Sequence, residues 1–262
     1  MEIHKEKTIQ GNTYCIGDIH GWDTPILELF EMINFNYEND KLILIGDLCD
    51  RGPNTWEVIE LLLKVKNLVF VLGNHDYCFK QFLIGNKDYH DWEMNMGKET
   101  LASYKSNNWA NLDAHKDFLN RTVPYHIENN ICFVHGGFDR YKSISTQTET
   151  FLCHDRQFVN DMINHKDKLY MEDNFDKVFI GHTPTCCWNI GDEFLGGSYF
   201  ALTIDNPNYQ PIVKHGVYLI DTGCGKDGPL TMYDVYSDIY YQTERKLSKV
   251  VGKEVHRIKW KL

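Results

Sequence analysis

The stretch from Thr13 to Gly21 reads TYCIGDIHG and joins a short apolar run to a polar loop. β-branched and aromatic residues are typical of a strand, and Gly17-Asp18 marks its end. Apolar residues then recur at helical spacing over the next turns, at Ile26, Leu29, Phe30 and Ile33. This stretch therefore predicts a strand, a turn and a helix.

The same order recurs further along the chain. An apolar run from Leu42 to Ile45 ends in Gly46-Asp47, and a helical pattern follows at Trp56, Ile59, Leu62 and Leu63. A third run, Leu68 to Leu72, ends in Gly73-Asn74. The pattern predicts two βαβ units of about 30 residues each. Such continuous apolar strands favour a parallel sheet covered on both faces, with ligands at the carboxyl ends of the strands.

The remainder of the chain continues the α/β pattern. Residues 77–130 are rich in aromatic and amide side chains without strand alternation, so we predict a helical insertion or lid there. Strand patterns return at Ile131–Val134, Val178–Ile180, Val217–Ile220 and Leu230–Val235. Because no linker separates the two halves, we expect a single domain over residues 1–262.

Composition limits the class of protein. The chain has 262 residues and a net charge of −10, which disfavours a nucleic-acid partner. Its apolar runs are far shorter than the roughly 18 residues of a membrane span, so no membrane partner is expected. The first residues carry charges without an apolar stretch behind them, and the expected location is therefore cytoplasmic.

Five loops that follow predicted strands place Asp, His or Asn beside glycine. They are Gly17-Asp18-Ile19-His20-Gly21, Gly46-Asp47-Leu48-Cys49-Asp50-Arg51-Gly52, Gly73-Asn74-His75-Asp76, His135-Gly136-Gly137 and Gly181-His182-Thr183. Carboxylate, amide and imidazole groups are the ligands that suit divalent first-row metals, and glycine lets the backbone turn tightly beneath them. Five such loops at one sheet edge offer enough ligands for two ions.

In this order the five motifs resemble those of the calcineurin-like metallophosphoesterases. Within that family they are most similar to the phosphoprotein phosphatase (PPP) branch and its bacterial and phage serine/threonine phosphatases. The resemblance extends from about Thr13 to Val235. It implies a layered α/β fold, with central β-sheets and helices on the outside.

The resemblance also implies a ligand set for two divalent metal ions, which can be manganese, iron or zinc. The set assigns Asp18 and His20 to the first metal, Asn74, His135 and His182 to the second, and Asp47 to both. A carboxylate that bridges two cations holds them close enough to share a water, which then loses a proton near neutral pH. The resulting hydroxide would attack the phosphorus atom in line.

Four further residues receive roles from the resemblance. His75 would be the general acid that protonates the leaving oxygen, and Asp50 would orient its ring. Arg51 has a planar guanidinium group that matches two phosphate oxygens. Arg156 occupies the place of a second phosphate-binding arginine in the phage-type relatives.

The motifs leave the substrate open. Hydrolysis of phosphomonoesters is favoured over nuclease activity, because Asp50-Arg51 is present and Pro184 stands where nuclease relatives have a second histidine. A serine/threonine protein phosphatase is the first interpretation. Hydrolysis of diadenosine tetraphosphate or another nucleotide anhydride is the alternative. A catalytically inactive metal-binding scaffold is a third hypothesis, although every motif residue is present. The segment Gly223–Gly228 fits G-x-G-x-x-G, but a strand pattern follows it, which argues against a nucleotide site.

Overall fold

The structure, a computed structural model, describes residues 11–187, 209–244 and 259–261. Its strands are β1 (Thr13–Ile16), β2 (Lys41–Leu44), β3 (Asn67–Phe70), β4 (Tyr125–Glu128), β5 (Ile131–Val134), β6 (Lys177–Ile180), β7 (Ile212–Lys214), β8 (Val217–Leu219), β9 (Thr231–Asp234), β10 (Ile239–Gln242) and β11 (Lys259–Lys261). Its helices are α1 (Asp23–Ile33), α2 (Thr55–Leu62), α3 (Asn74–Leu83), α4 (His90–Asn95), α5 (Lys98–Ser106), α6 (Leu112–Asn120), α7 (Glu149–His154) and α8 (Gln157–Asn164).

The described strands form two sheets. The first has the order β11-β10-β9-β1-β2-β3, and the second has the order β4-β5-β6-β8-β7. Strands β1, β2 and β3 are parallel, as are β5, β6 and β8. The carboxyl ends of β1, β2, β3, β5 and β6 carry the five polar loops singled out in the sequence.

Three apolar layers hold the fold together. One layer lies between the two sheets and includes Cys15, Ile43 and Phe179. A second packs the outer face of the first sheet against α1, α2 and the helices of residues 74–120. The third packs the second sheet against α7 and α8. Along β1 the side chains alternate between layers, since Tyr14 and Ile16 face the helices while Cys15 faces the other sheet.

The predicted layered α/β fold, with central sheets and helices on the outside, is therefore confirmed. The apolar runs are continuous because both strand faces are buried, one against helices and the other against the second sheet. The sheets are also mixed, since β9 pairs antiparallel with β1 and β4 pairs antiparallel with β5.

The predicted insertion is helical from α3 to α6, but its last part is a strand. Residues Tyr125–Glu128 form β4, which pairs with β5 through a tight hairpin. The turn is made by Asn129 and Asn130, both with positive φ, at 49° and 60°. Asparagine adopts this conformation more readily than most residues, and two-residue hairpins of the primed type require it. In the described part of the chain, no helix combines the length and hydrophobicity needed to cross a membrane.

Candidate functional site

All six candidate metal ligands lie at one edge of the two sheets. Asp18 and His20 follow β1, Asp47 follows β2, and the others follow β3, β5 and β6, at Asn74, His135 and His182. The loops touch through the backbone, because the N–H groups of Ile19 and His20 both donate to the carbonyl of Asp47, at 3.1 and 2.9 Å. Residues far apart in the chain thus converge because parallel strands end at the same edge.

Asp47 occupies the centre of this group and is 2% exposed. Its Oδ1 lies 3.2 Å from His135 Nε2 and accepts a hydrogen bond from the backbone N–H of His75 at 3.0 Å. Its Oδ2 lies 3.7 Å from His20 Nε2. One carboxylate therefore faces candidate ligands of both metals, as a bridging role requires.

Two of the histidines are held so that the same ring nitrogen points inward. His20 Nδ1 donates to the carbonyl of Cys49 at 2.9 Å, and His135 Nδ1 donates to the carbonyl of Ile45 at 2.6 Å. Since a carbonyl oxygen only accepts, each Nδ1 carries a proton, and Nε2 is the nitrogen that faces the other candidate ligands. This backbone anchoring is typical of metal-binding histidines. His135 Nε2 lies 3.2 Å from Asn74 Oδ1, which brings two candidate ligands of the second metal together.

Asp18 connects the first and last motifs. Its two carboxylate oxygens accept from the backbone N–H of His182 at 3.2 and 3.1 Å, and its Oδ2 lies 3.9 Å from His20 Nε2. Among the residues that the structure describes, two groups have ligand atoms that all lie within 4.8 Å of one another, His20 with Asp47 and His75, and Asp47 with His135 and His182. His75 is in the first group, but its two ring nitrogens already contact Asp50 and Arg51. Arg51 contacts Nε2 of His20 in the same way, so the difference lies at Nδ1, which faces a backbone carbonyl in His20 and the Asp50 carboxylate in His75.

The electrostatics of the site suit cations. Burial lowers the pKa of both His20 and His182 well below its usual range, so these rings are neutral and have a lone pair to share. Burial raises the pKa of Asp18 well above its usual range, and the carboxylates of Asp221 and Asp47 raise it further. Several buried carboxylates thus repel one another, and bound divalent cations would offset that repulsion. The donor set therefore fits the two metals that the motifs imply.

His75 and Asp50 form a buried pair beside the metal ligands. His75 Nδ1 lies 2.6 Å from Asp50 Oδ2, and both side chains are almost completely buried. Asp50 Oδ2 also accepts from Trp92 Nε1 at 2.9 Å, and Asp50 Oδ1 accepts from the Thr100 hydroxyl at 2.7 Å. Trp92 belongs to α4 and Thr100 to α5. The helical insertion thus fixes the residue that orients the candidate general acid.

We expect Thr100→Val to destabilise the protein and to slow turnover together. The Thr100 hydroxyl donates to Asp50 Oδ1 and accepts from the backbone N–H of Asp50 at 2.9 Å. Removing it leaves buried polar atoms unpaired, which costs about 1–3 kcal/mol of unfolding free energy. Urea denaturation and kcat measurements would check both effects.

The control for Thr100→Val is Thr55→Val, which removes a buried neighbouring hydroxyl, 3.3 Å from that of Thr100. We expect Thr55→Val to change kcat less than Thr100→Val does. If Thr100→Val lost stability but kept full kcat, Thr100 would have no part in orienting His75.

Two half-buried arginines lie beside the candidate ligands. The Arg51 guanidinium donates to His20 Nε2 at 2.7 Å and to His75 Nε2 at 3.0 Å. Arg156 donates from NH1 to the Thr183 hydroxyl at 3.0 Å and to the carbonyl of His182 at 3.4 Å. Arg51 thus lies between His20, a candidate ligand of the first metal, and the candidate acid, and Arg156 lies beside His182, a candidate ligand of the second.

The backbone of the site adopts conformations that ordinary residues seldom take. Five site residues have φ in the left-handed region, His20, Asp47, Asp50, Arg51 and His182. Such strain costs of the order of 1–3 kcal/mol per residue and is concentrated at functional sites. Gly73 is required for a different reason, since a Cβ there would clash with the backbone nitrogen and carboxylate of Asp47.

The sequence did not reveal four contributors to this site. Trp92 and Thr100 contact Asp50 from 42 and 50 residues away, which no local pattern predicts. Asp76, within a recognised motif, accepts from the backbone N–H groups of Leu48 and Gly73 at 2.9 and 3.1 Å and so joins two loops. Burial raises its pKa to about 6.

The fourth contributor is the loop 224–226, which packs against the site. A Cβ added at Gly225 would clash with the His20 ring and lie 2.7 Å from Arg51 NH1. A glycine in this loop therefore allows its backbone to approach both side chains. As predicted, the G-x-G-x-x-G segment is followed by a strand, β9, rather than by a helix.

Comparison with known proteins identifies the kind of fold and site. The family model described as calcineurin-like phosphoesterase matches residues 11–197. A solved structure named as a candidate diadenosine tetraphosphatase superposes with a TM-score of 0.57 at 18% identity, covering 89% of this chain and 93% of that one.

Two curated relatives are both named symmetrical bis(5'-nucleosyl)-tetraphosphatase. The protein from Coxiella burnetii (strain Dugway 5J108-111) is 46% identical over 65 residues, which cover 25% of this chain and 22% of the relative. The protein from Nitrosomonas europaea is 28% identical over 152 residues, which cover 55% of this chain and 53% of the relative. The chain thus matches about half or less of the length of each of these relatives.

Proposed function

Because the chain belongs to the calcineurin-like phosphoesterase family, we propose that its site hydrolyses a phosphoric anhydride of the dinucleoside tetraphosphate class with two divalent metals. The observation that carries the proposal is the convergence of six candidate ligands on Asp47, next to the Asp50–His75 pair and Arg51. Asp18 and His20 would hold the first metal, Asn74, His135 and His182 the second, and Asp47 both.

When bound, the two cations would supply a water nucleophile of lowered pKa and would neutralise charge on the phosphoryl oxygens. The chain's own residues do the rest. Arg51 binds two oxygens of the transferred phosphoryl group through its planar guanidinium group. To do so it exchanges its contacts with the His20 and His75 rings for contacts with the substrate.

His75 provides the proton for the leaving oxygen. Asp50 accepts from Nδ1 of the ring and so directs Nε2 toward the position that Arg51 now contacts. A proton on Nε2 is then aimed at an oxygen of any phosphoryl group that Arg51 holds. Trp92 and Thr100 keep Asp50 from turning away, because they occupy its other hydrogen-bonding positions.

The relatives favour the nucleotide alternative over the serine/threonine protein phosphatase predicted from the motifs. Both curated relatives are named for bis(5'-nucleosyl)-tetraphosphate. The motif chemistry serves either substrate, since both reactions transfer a phosphoryl group to water. The inactive-scaffold hypothesis is supported least, because the six candidate ligands and the acid pair are all present and adjacent.

A substrate comparison tests the proposal. The purified Mn²⁺-loaded chain is assayed on diadenosine tetraphosphate and on a phosphothreonine peptide, with p-nitrophenyl phosphate as a general ester. We expect kcat/KM to be at least tenfold higher for the dinucleotide, with two molecules of ADP as the products of symmetrical cleavage. The Asp47→Asn variant, prepared in parallel, controls for contaminating phosphatases.

Each other result has a distinct meaning. A tenfold preference for the peptide would overturn the nucleotide assignment and favour the protein phosphatase. Cleavage to ATP and AMP would contradict the symmetrical mode. No turnover of any substrate with manganese, iron or zinc would favour the scaffold.

A further inference from the structure

A buried carboxylate that has no assigned role lies at the same sheet edge. Asp221 follows β8 and is 2% exposed. Its backbone carbonyl accepts from the N–H of Thr185 at 2.8 Å, and the neighbouring Ile220 N–H donates to the carbonyl of Ile180 at 2.9 Å. Asp221 therefore sits beside the loop that carries His182.

Asp221 is also next to the loop of Asp18. A Cβ added at Gly17 would lie 2.6 Å from the carbonyl oxygen of Ile220, so the backbones of the two loops touch. Asp18 directly follows Gly17, and Asp221 directly follows Ile220. Consistent with this proximity, the Asp221 carboxylate is among the charges that raise the pKa of Asp18, after burial itself.

The two carboxylate oxygens of Asp221 differ in their environment. Oδ1 accepts from the backbone N–H of Gly223 at 2.9 Å. Oδ2 is buried and has no hydrogen-bond partner among residues 11–187, 209–244 and 259–261. A buried unpaired oxygen costs about 1–3 kcal/mol, and more when it is charged, so native proteins seldom leave one without a cation or a water.

The candidate first metal has room for such a partner. Its proposed protein ligands number three, Asp18, His20 and Asp47. Pro184 stands where nuclease relatives have another histidine. Divalent first-row metals that bind oxygen ligands usually complete their coordination with water.

We propose that Asp221 is a positioning residue for the first metal, whose Oδ2 accepts a hydrogen bond from a water that completes the coordination of that metal. The inference rests on the two-metal site of the proposed function. An indirect contact fits better than direct ligation, because carboxylate oxygens of Asp18 and Asp47 lie 3.9 and 3.7 Å from His20 Nε2, whereas Asp221 forms no ion pair with a histidine of the described residues. Carboxylates that hold metal-bound groups in this way tune affinity by about 10- to 100-fold.

The test is a titration with Mn²⁺ of the full chain, from which metals have first been removed with a chelator. Binding is monitored by calorimetry and by electron paramagnetic resonance. We expect Asp221→Asn to weaken the first-metal phase by about 10- to 100-fold while the second-metal phase changes less than threefold. The Asn74→Ala variant, which lacks a ligand of the second metal only, identifies the two phases. Thermal unfolding in chelator shows whether Asp221→Asn is folded.

The matched control is Asp40→Asn. Asp40 is also buried, at 6% exposed, but its Oδ1 and Oδ2 accept from the backbone N–H groups of Asn12 and Asn36, both at 2.8 Å. Asp40 directly precedes β2, whereas the candidate ligands follow the carboxyl ends of their strands. We expect Asp40→Asn to lose stability and to bind both Mn²⁺ ions as the unmodified chain does.

Unchanged affinity for both ions in folded Asp221→Asn would overturn the inference and leave Asp221 a structural residue. If that variant fails to fold, Asp221→Ser, which keeps an acceptor but no charge, enters the same titration with the same expected and contrary results. An unmodified chain that binds fewer than two Mn²⁺ ions would instead contradict the proposed function, so the two failures are distinguishable.

Discussion

Asp47→Asn is expected to release both metals and to lower kcat/KM by roughly 10³-fold or more, because both ions share its negative charge. The Asp47 carboxylate faces His135 through Oδ1 and His20 through Oδ2, at 3.2 and 3.7 Å. Asparagine has the same shape, and its oxygen can still accept from the backbone N–H of His75. The substitution therefore removes charge from the centre of the site without removing atoms.

Elemental analysis of metal per chain, after gel filtration at equal total metal, checks this result. The Asp40→Asn variant controls for the loss of a buried carboxylate away from the site, and it should keep both ions. Two ions retained per chain in Asp47→Asn would show that Asp47 is not the shared ligand.

His75→Asn is expected to retain both metals and to lower kcat by about 10²- to 10⁴-fold on a substrate with a basic leaving oxygen. A general acid matters most when the leaving oxygen needs a proton. The loss should therefore be larger on an alkyl phosphate, such as phosphoserine, than on p-nitrophenyl phosphate, whose leaving group is stable as an anion. If Asp50 orients the ring, Asp50→Asn should lower kcat less than His75→Asn does, because Nδ1 of His75 keeps a polar neighbour.

The dependence on leaving group separates acid catalysis from structural damage. Equal losses on both esters would argue that His75 supports the site without donating the proton. Loss of a metal ion in His75→Asn would instead assign His75 to the first metal. The distances allow this role, because His75, His20 and Asp47 have ligand atoms within 4.8 Å of one another.

The sequence predicts the part of the fold that local patterns encode. Strands β1, β2, β3, β5, β6, β8 and β9 begin and end within two residues of the predicted runs, because each is an apolar run that ends in a polar loop. The parallel strands then bring the five loops to one edge. The convergence of Asp18, Asp47 and His182 follows from this topology.

Long-range contacts were not predictable in the same way. Strand β7 has only three residues, and β4 lies in a segment whose aromatic and amide content masked its pattern. The hydrogen bonds of Trp92 and Thr100 to Asp50 depend on how α4 and α5 pack against the first sheet. The carboxylate of Asp221, which has one oxygen without a hydrogen-bond partner in the described residues, likewise could not be identified from the sequence. Its position depends on the ends of β1, β6 and β8 lying side by side.

Substrate choice is the least predictable property. In the proposed function the five motifs hold the reacting phosphoryl group, and they contain no feature that recognises the group attached to it. The hydrogen bonds from α4 and α5 end on Asp50, so in that proposal they support the chemistry rather than substrate recognition. For this reason the motifs leave the substrate open, whereas the two curated relatives are named for a dinucleoside tetraphosphate.

The central claim is that six side chains hold two divalent cations around Asp47. The most direct test is an anomalous difference map from crystals of the Mn²⁺-loaded chain. We expect two peaks about 3.5–4 Å apart, one beside Asp18 and His20, one beside Asn74, His135 and His182, with Asp47 between them. A single peak, or peaks away from these six residues, would contradict the account.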